Sequence, residues 1–352
     1  MDMESFQAFQ TDTCERSKAA LWTVWVPKSA EVFRRTPPLY INGDAEAYYM
    51  SVALLQSNQL RQLVQDSMDA FVAFFATHTL NRTQLEPDPR GDQALWSVPP
   101  AFVVELKVVD GPPVEYRFQP TFREIEDMCL GVLEAFVTAV SGIPRVGSAS
   151  AAPSRRGLHI PAVGLKEECV AAARESLRNV LQQNAQPPRR LAALYDRFMY
   201  LLDMDKEAAM EAFKAGEHTL EEYAAEIDKY KSEIAAIEDT SVDEVRTGLY
   251  VIRMGAFKAA LVESAEELVA LLVDQVREAA HGSNTQVAEK YSLMSTEVMK
   301  VPANGEEVLT LKKYIGECLE EHDKLKEQLA FNMQVRARVN SQTPTDVFSP
   351  PK

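Results

Sequence analysis

The sequence predicts a mainly α fold of elongated helical bundles carrying one small β-hairpin. Apolar residues recur at helical spacing along most of the 352 residues. A threonine followed three positions on by a glutamate, a helix-start signature, occurs at Thr121/Glu124 and Thr219/Glu222. Period-two alternation is confined to 102–118. The length suffices for two or more helical units with cores of their own. With 46% hydrophobic and 25% charged residues, pervasive disorder is excluded.

From the N-terminus, 1–44 reads as an irregular segment, because Pro27, Pro37 and Pro38 oppose a long helix. Over 45–77, Tyr48, Val52, Leu55, Leu63, Ser67, Phe71 and Phe74 define one helix face, widened by Leu60, Val64 and Phe75. A polar, proline-bearing loop follows over 80–100. Phe102, Val104, Leu106 and Val108 then alternate, as do Val114, Tyr116 and Phe118, on either side of Asp110-Gly111-Pro112-Pro113. That is a hairpin pattern, and a lone hairpin needs helices to lie against. Thr121 opens a helix whose apolar face runs from Ile125 to Val140 and which ends at Gly142. The unit 45–142 is thus helix, hairpin, helix.

Glycines, serines, prolines and Arg155-Arg156 make 143–164 the best linker, and 165–335 reads as a helical-bundle unit. Within it a helix over 165–183 is broken by Pro187-Pro188, and another runs from about 190 to 213. Over 219–237, Leu220, Tyr223, Ile227, Tyr230, Ile234 and Ile237 step by three and four, a heptad seam too short to stand alone. Ser241 and Glu244 repeat the helix-start signal, while 249–252 fits strand or helix equally. A helix over 256–277, a break at Gly282-Ser283-Asn284, a helix to Met299 and a last helix over 306–334 complete the unit. The tail, 336–352, reads as flexible.

Nothing in this pattern points to catalysis. Cys14, Cys129, Cys169 and Cys318 lie far apart, and His78, His159, His218, His281 and His322 are scattered, so neither zinc spacing nor a disulfide framework is present. Gly142 to Ser148 has the glycine spacing of a phosphate loop, but Ser148 stands where the lysine belongs and a helix precedes it. No catalytic, cofactor-binding or metal-ligating residue is assigned. The net charge of −15 excludes a nucleic-acid-coating role. No segment has the continuous apolar run of a membrane span, and the N-terminus lacks a signal peptide's pattern. Over 203–278, 19 acidic residues face 8 basic ones, which reads first as solvated helix faces and second as a surface for a basic partner. His218 reads as a loop residue, Tyr223 and Tyr230 as seam packing, and Trp22, Trp25 and Trp96 as loop anchors.

Three stretches together resemble a known family. They are Tyr49-Met-Ser-Val-Ala-Leu-Leu-Gln-Ser-Asn-Gln-Leu-Arg-Gln-Leu-Val with Phe71-Val-Ala-Phe-Phe, then Phe118-Gln-Pro through Glu124-Ile-Glu to Ile143-Pro-Arg-Val, then His218-Thr-Leu-Glu-Glu-Tyr-Ala-Ala-Glu-Ile-Asp-Lys-Tyr on to Val245-Arg-Thr-Gly-Leu-Tyr. Their order and spacing are similar to the stem of dynein heavy chains before the linker, with the axonemal inner-arm group nearest, over about 20–331. The resemblance implies a helical tail segment that transmits force and positions a motor in the ciliary axoneme. It implies intermediate chains, light chains and axonemal docking proteins as partners, and microtubules only through the parent motor. The family's ATPase ring and microtubule-binding tip map onto no position here, so the resemblance implies no enzyme and no cofactor in this chain. After Phe331 the resemblance ends. The alternative reading is a free-standing helical adaptor that holds a cytoskeletal partner on its acidic helical face.

Overall fold

The computed structural model describes residues 2–35, 45–82, 84–86, 90, 98–146, 162–216 and 218–341. Helices dominate them, as the sequence predicts, and the strands form one small four-stranded sheet. Two units divide the chain: Met1–Arg197 with Asp239–Ala259, and Phe198–Glu238 with Ala260–Lys352.

The first unit opens on helix, not on irregular chain. Helix α1 (Met3–Ala20) is capped by the Asp2 side chain, which accepts from the Ser5 amide. It passes through a π-turn at Leu21–Trp25 into α2 (Val26–Arg35). In that turn the Val26 amide reaches back to the Leu21 carbonyl. Pro27 follows at once, so its missing donor and ring fall where the helix is already widened. That corrects the expectation drawn from Pro27. Pro37 and Pro38 lie outside the described residues.

Helix α3 (Ala45–Ala76) was expected, but its buried face is rotated from the predicted one. Val52, Leu60, Val64, Met68, Phe71 and Phe75 are buried together with the polar Gln56 and Ser57, whereas Leu55, Leu63 and Phe74 are exposed. The two polar residues explain the rotation. Gln56 Oε1 accepts from the Val146 amide at 2.8 Å, and Ser57 Oγ accepts from Arg145 Nε at 3.0 Å. Burial there is stabilised by hydrogen bonds to a distant loop, which apolar spacing does not encode.

Strands β1 (Phe102–Val109) and β2 (Glu115–Gln119) form the expected antiparallel hairpin, with Leu106 opposite Phe118. The Pro112-Pro113 and Gln119-Pro120 peptide bonds are cis. The hairpin does not stand alone. Strands β3 (Glu244–Thr247) and β4 (Tyr250–Arg253) make a second one, turning at Gly248 with φ 63°, a left-handed conformation that favours glycine. Strand β4 then pairs in parallel with β1, Phe102 opposite Tyr250, giving the order β2-β1-β4-β3. The helix-start signature at Ser241/Glu244 is therefore overturned. Glu244 begins a strand, and the Ser241 hydroxyl lies 2.7 Å from the Tyr195 hydroxyl instead of capping a helix.

Helix α4 (Phe122–Ala139) carries the predicted capping box: Thr121 Oγ1 accepts from the Glu124 amide while the Glu124 carboxylate accepts from the Thr121 amide. Thr121→Ala is expected to lower unfolding free energy by about 1 kcal/mol in urea titration, with an unchanged m-value. An unchanged midpoint would mean that this cap contributes nothing. Buried Ile125, Cys129, Leu133 and Val137 give α4 its inner face. Helix α5 (Glu168–Asn184) follows, and α6 (Gln186–Ala193) starts on the Pro187-Pro188 pair, which suits a first helical turn. Residues 147–161 of the expected linker lie outside the described residues.

The long helix expected over 190–213 is broken into α6, a 3-10 turn (Asp196–Phe198), α7 (Tyr200–Asp203) and α8 (Lys206–Lys214), the last two in the second unit. The break at 204–205 exists because Asp205 caps α8, accepting from the Ala208 amide at 3.1 Å. Helix α9 (Leu220–Thr240) has the predicted start, Thr219 and Glu222 bonding reciprocally, and buries Tyr223, Ile227, Tyr230 and Ile237 of the heptad seam. Helix α10 (Gly255–Val298) runs through Gly282, where a break was expected. One glycine costs a helix only about 1 kcal/mol. Ser283 and Asn284 do not compete with the backbone here, because their side chains accept from Asn332 of α11 (Gly305–Ser341). The predicted interruption at Val301-Pro302 is the turn between α10 and α11. Residues 342–352 of the expected tail lie outside the described residues.

Candidate functional site

Buried polar groups are where chemistry would be sought, and the described residues of the first unit gather them in three places. In one, the Tyr195 and Ser241 hydroxyls meet at 2.7 Å, while Lys258 Nζ donates to the Ser241 carbonyl at 2.7 Å and to Asp243 at 2.9 Å. A serine, lysine and tyrosine together resemble the parts of a nucleophilic site. Here the lysine donates to a backbone carbonyl and a carboxylate of the same strand-entry segment. Tyr195, Ser241 and Lys258 are all buried, and the Phe257 ring packs edge-on against Tyr195 at 5.5 Å. Burial also raises the Tyr195 phenol above its ordinary value. The arrangement anchors the chain entering β3 to the start of α10.

The second cluster is centred on Asn184, which is fully buried. Its amide nitrogen donates to the carbonyls of His78 and Val180, each at 2.9 Å, and its oxygen accepts from the Leu249 amide at 3.0 Å. His78 Nε2 lies 3.1 Å from the Pro99 carbonyl. Apart from the Val180 contact, which lies within α5, the contacts in this set join separate chain segments to one another.

The glycine-spaced loop after α4 is packed rather than open. Ile143 is 1% exposed and Arg145 5%, the Arg145 guanidinium donates to the Ile143 carbonyl, and Gln56 takes the Val146 amide. A phosphate cradle needs free backbone donors after a strand. This loop follows α4, and its Val146 donor is in use. Gly147 and Ser148 lie outside the described residues.

A cleft of about 450 Å³ lies among α4, α5 and α6. Its Arg178 pairs with Glu126 at 2.7 Å, and Arg189 lies over the Phe122 ring at 5.5 Å. Charges in it are thus largely matched by neighbours. Over 203–278, several carboxylates are likewise engaged within the chain: Glu267 with Lys206, Glu278 with Lys214, Glu226 with Lys229 and Asp274 with Arg277. Exposed pairs of this kind contribute at most about 1 kcal/mol each. His218 stacks on Phe213 with ring centroids 4.0 Å apart and sits 3.2 Å from Glu222. The Thr219 amide, and then His218, hold the Glu222 carboxyl below its ordinary value. Tyr223 and Tyr230 are buried, Trp22 is exposed on the π-turn, Trp25 is half-buried, and Trp96 lies outside the described residues.

Among the described residues, no three His, Cys, Asp or Glu side chains gather as a metal site, and no helix is long and apolar enough to cross a membrane. All four cysteines are free thiols. Cys129 is fully buried, and desolvation pushes its thiol up to about 12. Iodoacetamide at about pH 8 is therefore expected to label the half-buried Cys169 well before Cys129, as read by peptide mass spectrometry. Equal rates would mean that α4 does not pack as described.

Comparison with known proteins connects the chain to one group. No family model matches it. It is 24% identical over 321 residues to the human dynein axonemal heavy chain 12, covering 90% of this chain and 10% of that protein. The mouse heavy chain 12 is 23% identical over 325 residues with the same coverage. The mouse dynein axonemal heavy chain 3 is 23% identical over 341 residues, covering 86% of this chain and 8% of that protein. The chain is thus a distant homologue of axonemal dynein heavy chains, and it spans about a tenth of the length of the relatives it matches.

Proposed function

We propose that the chain corresponds to a structural, non-catalytic stem segment of an axonemal dynein heavy chain. It would contribute to ATP-driven, microtubule-based ciliary movement only through a whole motor. The observation that carries this reading is similarity along 90% of the chain, rather than at an isolated motif, to proteins about ten times longer. Two features support it. The buried polar clusters hold chain segments together, and the helical start signals and seam coincide with the stretches in which the likeness is read. On this reading the partners are intermediate and light chains and axonemal docking proteins, and the site of action is the axoneme.

Immunoprecipitation from detergent-stripped axonemes, with an antibody raised against α9 and α10, tests the reading. Dynein intermediate and light chains are the expected co-purifying proteins. Recovery of the chain free of any dynein subunit would overturn it.

A further inference from the structure

Helix α11 carries two heptad seams, and α10 covers one of them. On the covered seam Leu325 is 2% exposed, Glu321 pairs with Lys290 at 3.1 Å, and Asn332 donates to Ser283 and Asn284. The other seam runs Val308, Lys312, Ile315, Leu319, His322, Lys326, Leu329, Met333, stepping by four and three without interruption. Its apolar members lie open: Val308 is 51% exposed, Ile315 39%, Leu319 63%, Leu329 37% and Met333 65%. An apolar stripe of that regularity, roughly 38 Å long at 1.5 Å per residue, is costly to leave in water.

The polar positions on this seam specify what covers it. Lys312, His322 and Lys326 are the only ones, and none is a carboxylate, in a chain whose net charge is −15. The His322 ring is engaged by the Tyr291 hydroxyl at 3.0 Å. Lys312 and Lys326 stand fourteen residues apart, two heptads, on the same line. Among the described residues neither has an ion-pair partner, whereas Lys313 and Lys324, off the seam, pair with Glu317 and Glu321. A second copy of the chain fits poorly. In parallel register it sets each lysine against itself, and in antiparallel register about the seam's centre it sets Lys326 against Ile315 and Lys312 against Leu329.

We propose that this seam of α11 is a docking surface for an amphipathic helix of another protein, one with apolar heptad positions and two carboxylates two heptads apart. Apolar contacts along the stripe supply the affinity, and the carboxylates opposite Lys312 and Lys326 set the register. The inference rests on α11 and its neighbour α10, independently of the dynein reading.

The test uses the full chain and two fluorescein-labelled peptides of about 28 residues, with leucine at the heptad positions. One has glutamates at the two positions facing the lysines, and the other has glutamines there. Fluorescence anisotropy is expected to show the glutamate peptide binding about fivefold more tightly, a margin that narrows as salt is raised. Leu319→Asp should abolish binding with an unchanged thermal midpoint, since that side chain is largely in water, and Leu319→Gln serves if the aspartate variant melts early. The Lys312→Glu, Lys326→Glu double variant should reverse the preference, binding the glutamate peptide more weakly than the glutamine peptide. Failure of the peptides to bind, equal affinity for the glutamate and glutamine peptides, or a dimer by light scattering that Leu319→Asp dissolves would each overturn the proposal.

Discussion

Replacing Phe102 with alanine is expected to lower unfolding free energy by about 3–5 kcal/mol. Phe102 is fully buried at the start of β1, and three rings surround it: Phe6 edge-on at 5.1 Å, Phe75 stacked at 6.4 Å and Tyr250 at 6.3 Å. These rings come from α1, α3 and β4, so the cavity left by truncation would open where three separate segments meet the sheet. No single neighbour can move into it without leaving its own contacts. Against a usual total of about 5–15 kcal/mol, such a loss is a large fraction of the whole. For a unit of this size it corresponds to a fall of roughly 10 °C in Tm. Phe102→Leu should cost markedly less, because most of the volume is kept. A Phe102→Ala protein melting within a degree or two of the parent would show that the rings do not converge as described.

Asn184→Leu is expected to cost about 3 kcal/mol for a different reason. The volume is nearly conserved, but the Leu249 amide and the His78 carbonyl lose their partner in a place that water does not reach. Leu249 is also the residue whose carbonyl receives the Ala101 and Phe102 amides, so the loss bears directly on the join between β1 and the second hairpin. Asn184→Asp separates the electrostatic part. An aspartate could still accept from Leu249, but when ionised it would face two carbonyl oxygens in a buried site. Its folded-state pKa is then raised above the unfolded value of about 3.9. A raised carboxyl pKa means that the folded state binds the proton more tightly. The variant is accordingly most stable below the unfolded value and loses stability as pH rises toward the folded one. Urea midpoints measured from about pH 4 to 7 should fall for the aspartate variant relative to the parent, and a parallel pair of curves would refute this account.

What the sequence made legible was local. The hairpin at 102–118, the capping box of α4 and the seam of α9 each depend on residues within a few positions of one another, and each is found as predicted. What it hid depends on distant partners. The buried face of α3 turns toward Gln56 and Ser57 because the loop at 145–146 bonds to them. Helix α10 continues past Gly282 because Asn332 takes Ser283 and Asn284. The helix-start signature at Ser241/Glu244 marks no helix, because the serine hydroxyl is claimed by Tyr195 and Glu244 begins a strand. The open seam of α11 was present as a pattern of residues, but only the position of α10 distinguishes it from the covered one. Among candidate sites, the sequence set aside the glycine-spaced loop for want of a lysine. In the structure the described part of that loop is packed against α3, through Gln56 and Ser57.

The parallel pairing of β1 with β4 has a consequence for how the protein is made. Phe102 and Tyr250 face each other although they lie about 150 residues apart in the chain. At about 5–20 residues per second, a ribosome takes on the order of ten seconds to synthesise the stretch between them. Throughout that interval the first hairpin has been made, yet one edge of β1 is an unpaired row of amides and carbonyls beside Phe102, Val104 and Leu106. Such an edge invites pairing with any passing strand. The nascent chain should therefore be most prone to aggregate, and most dependent on chaperones, when the first hairpin has left the exit tunnel and β4 has not, and that dependence should end once β4 has cleared it.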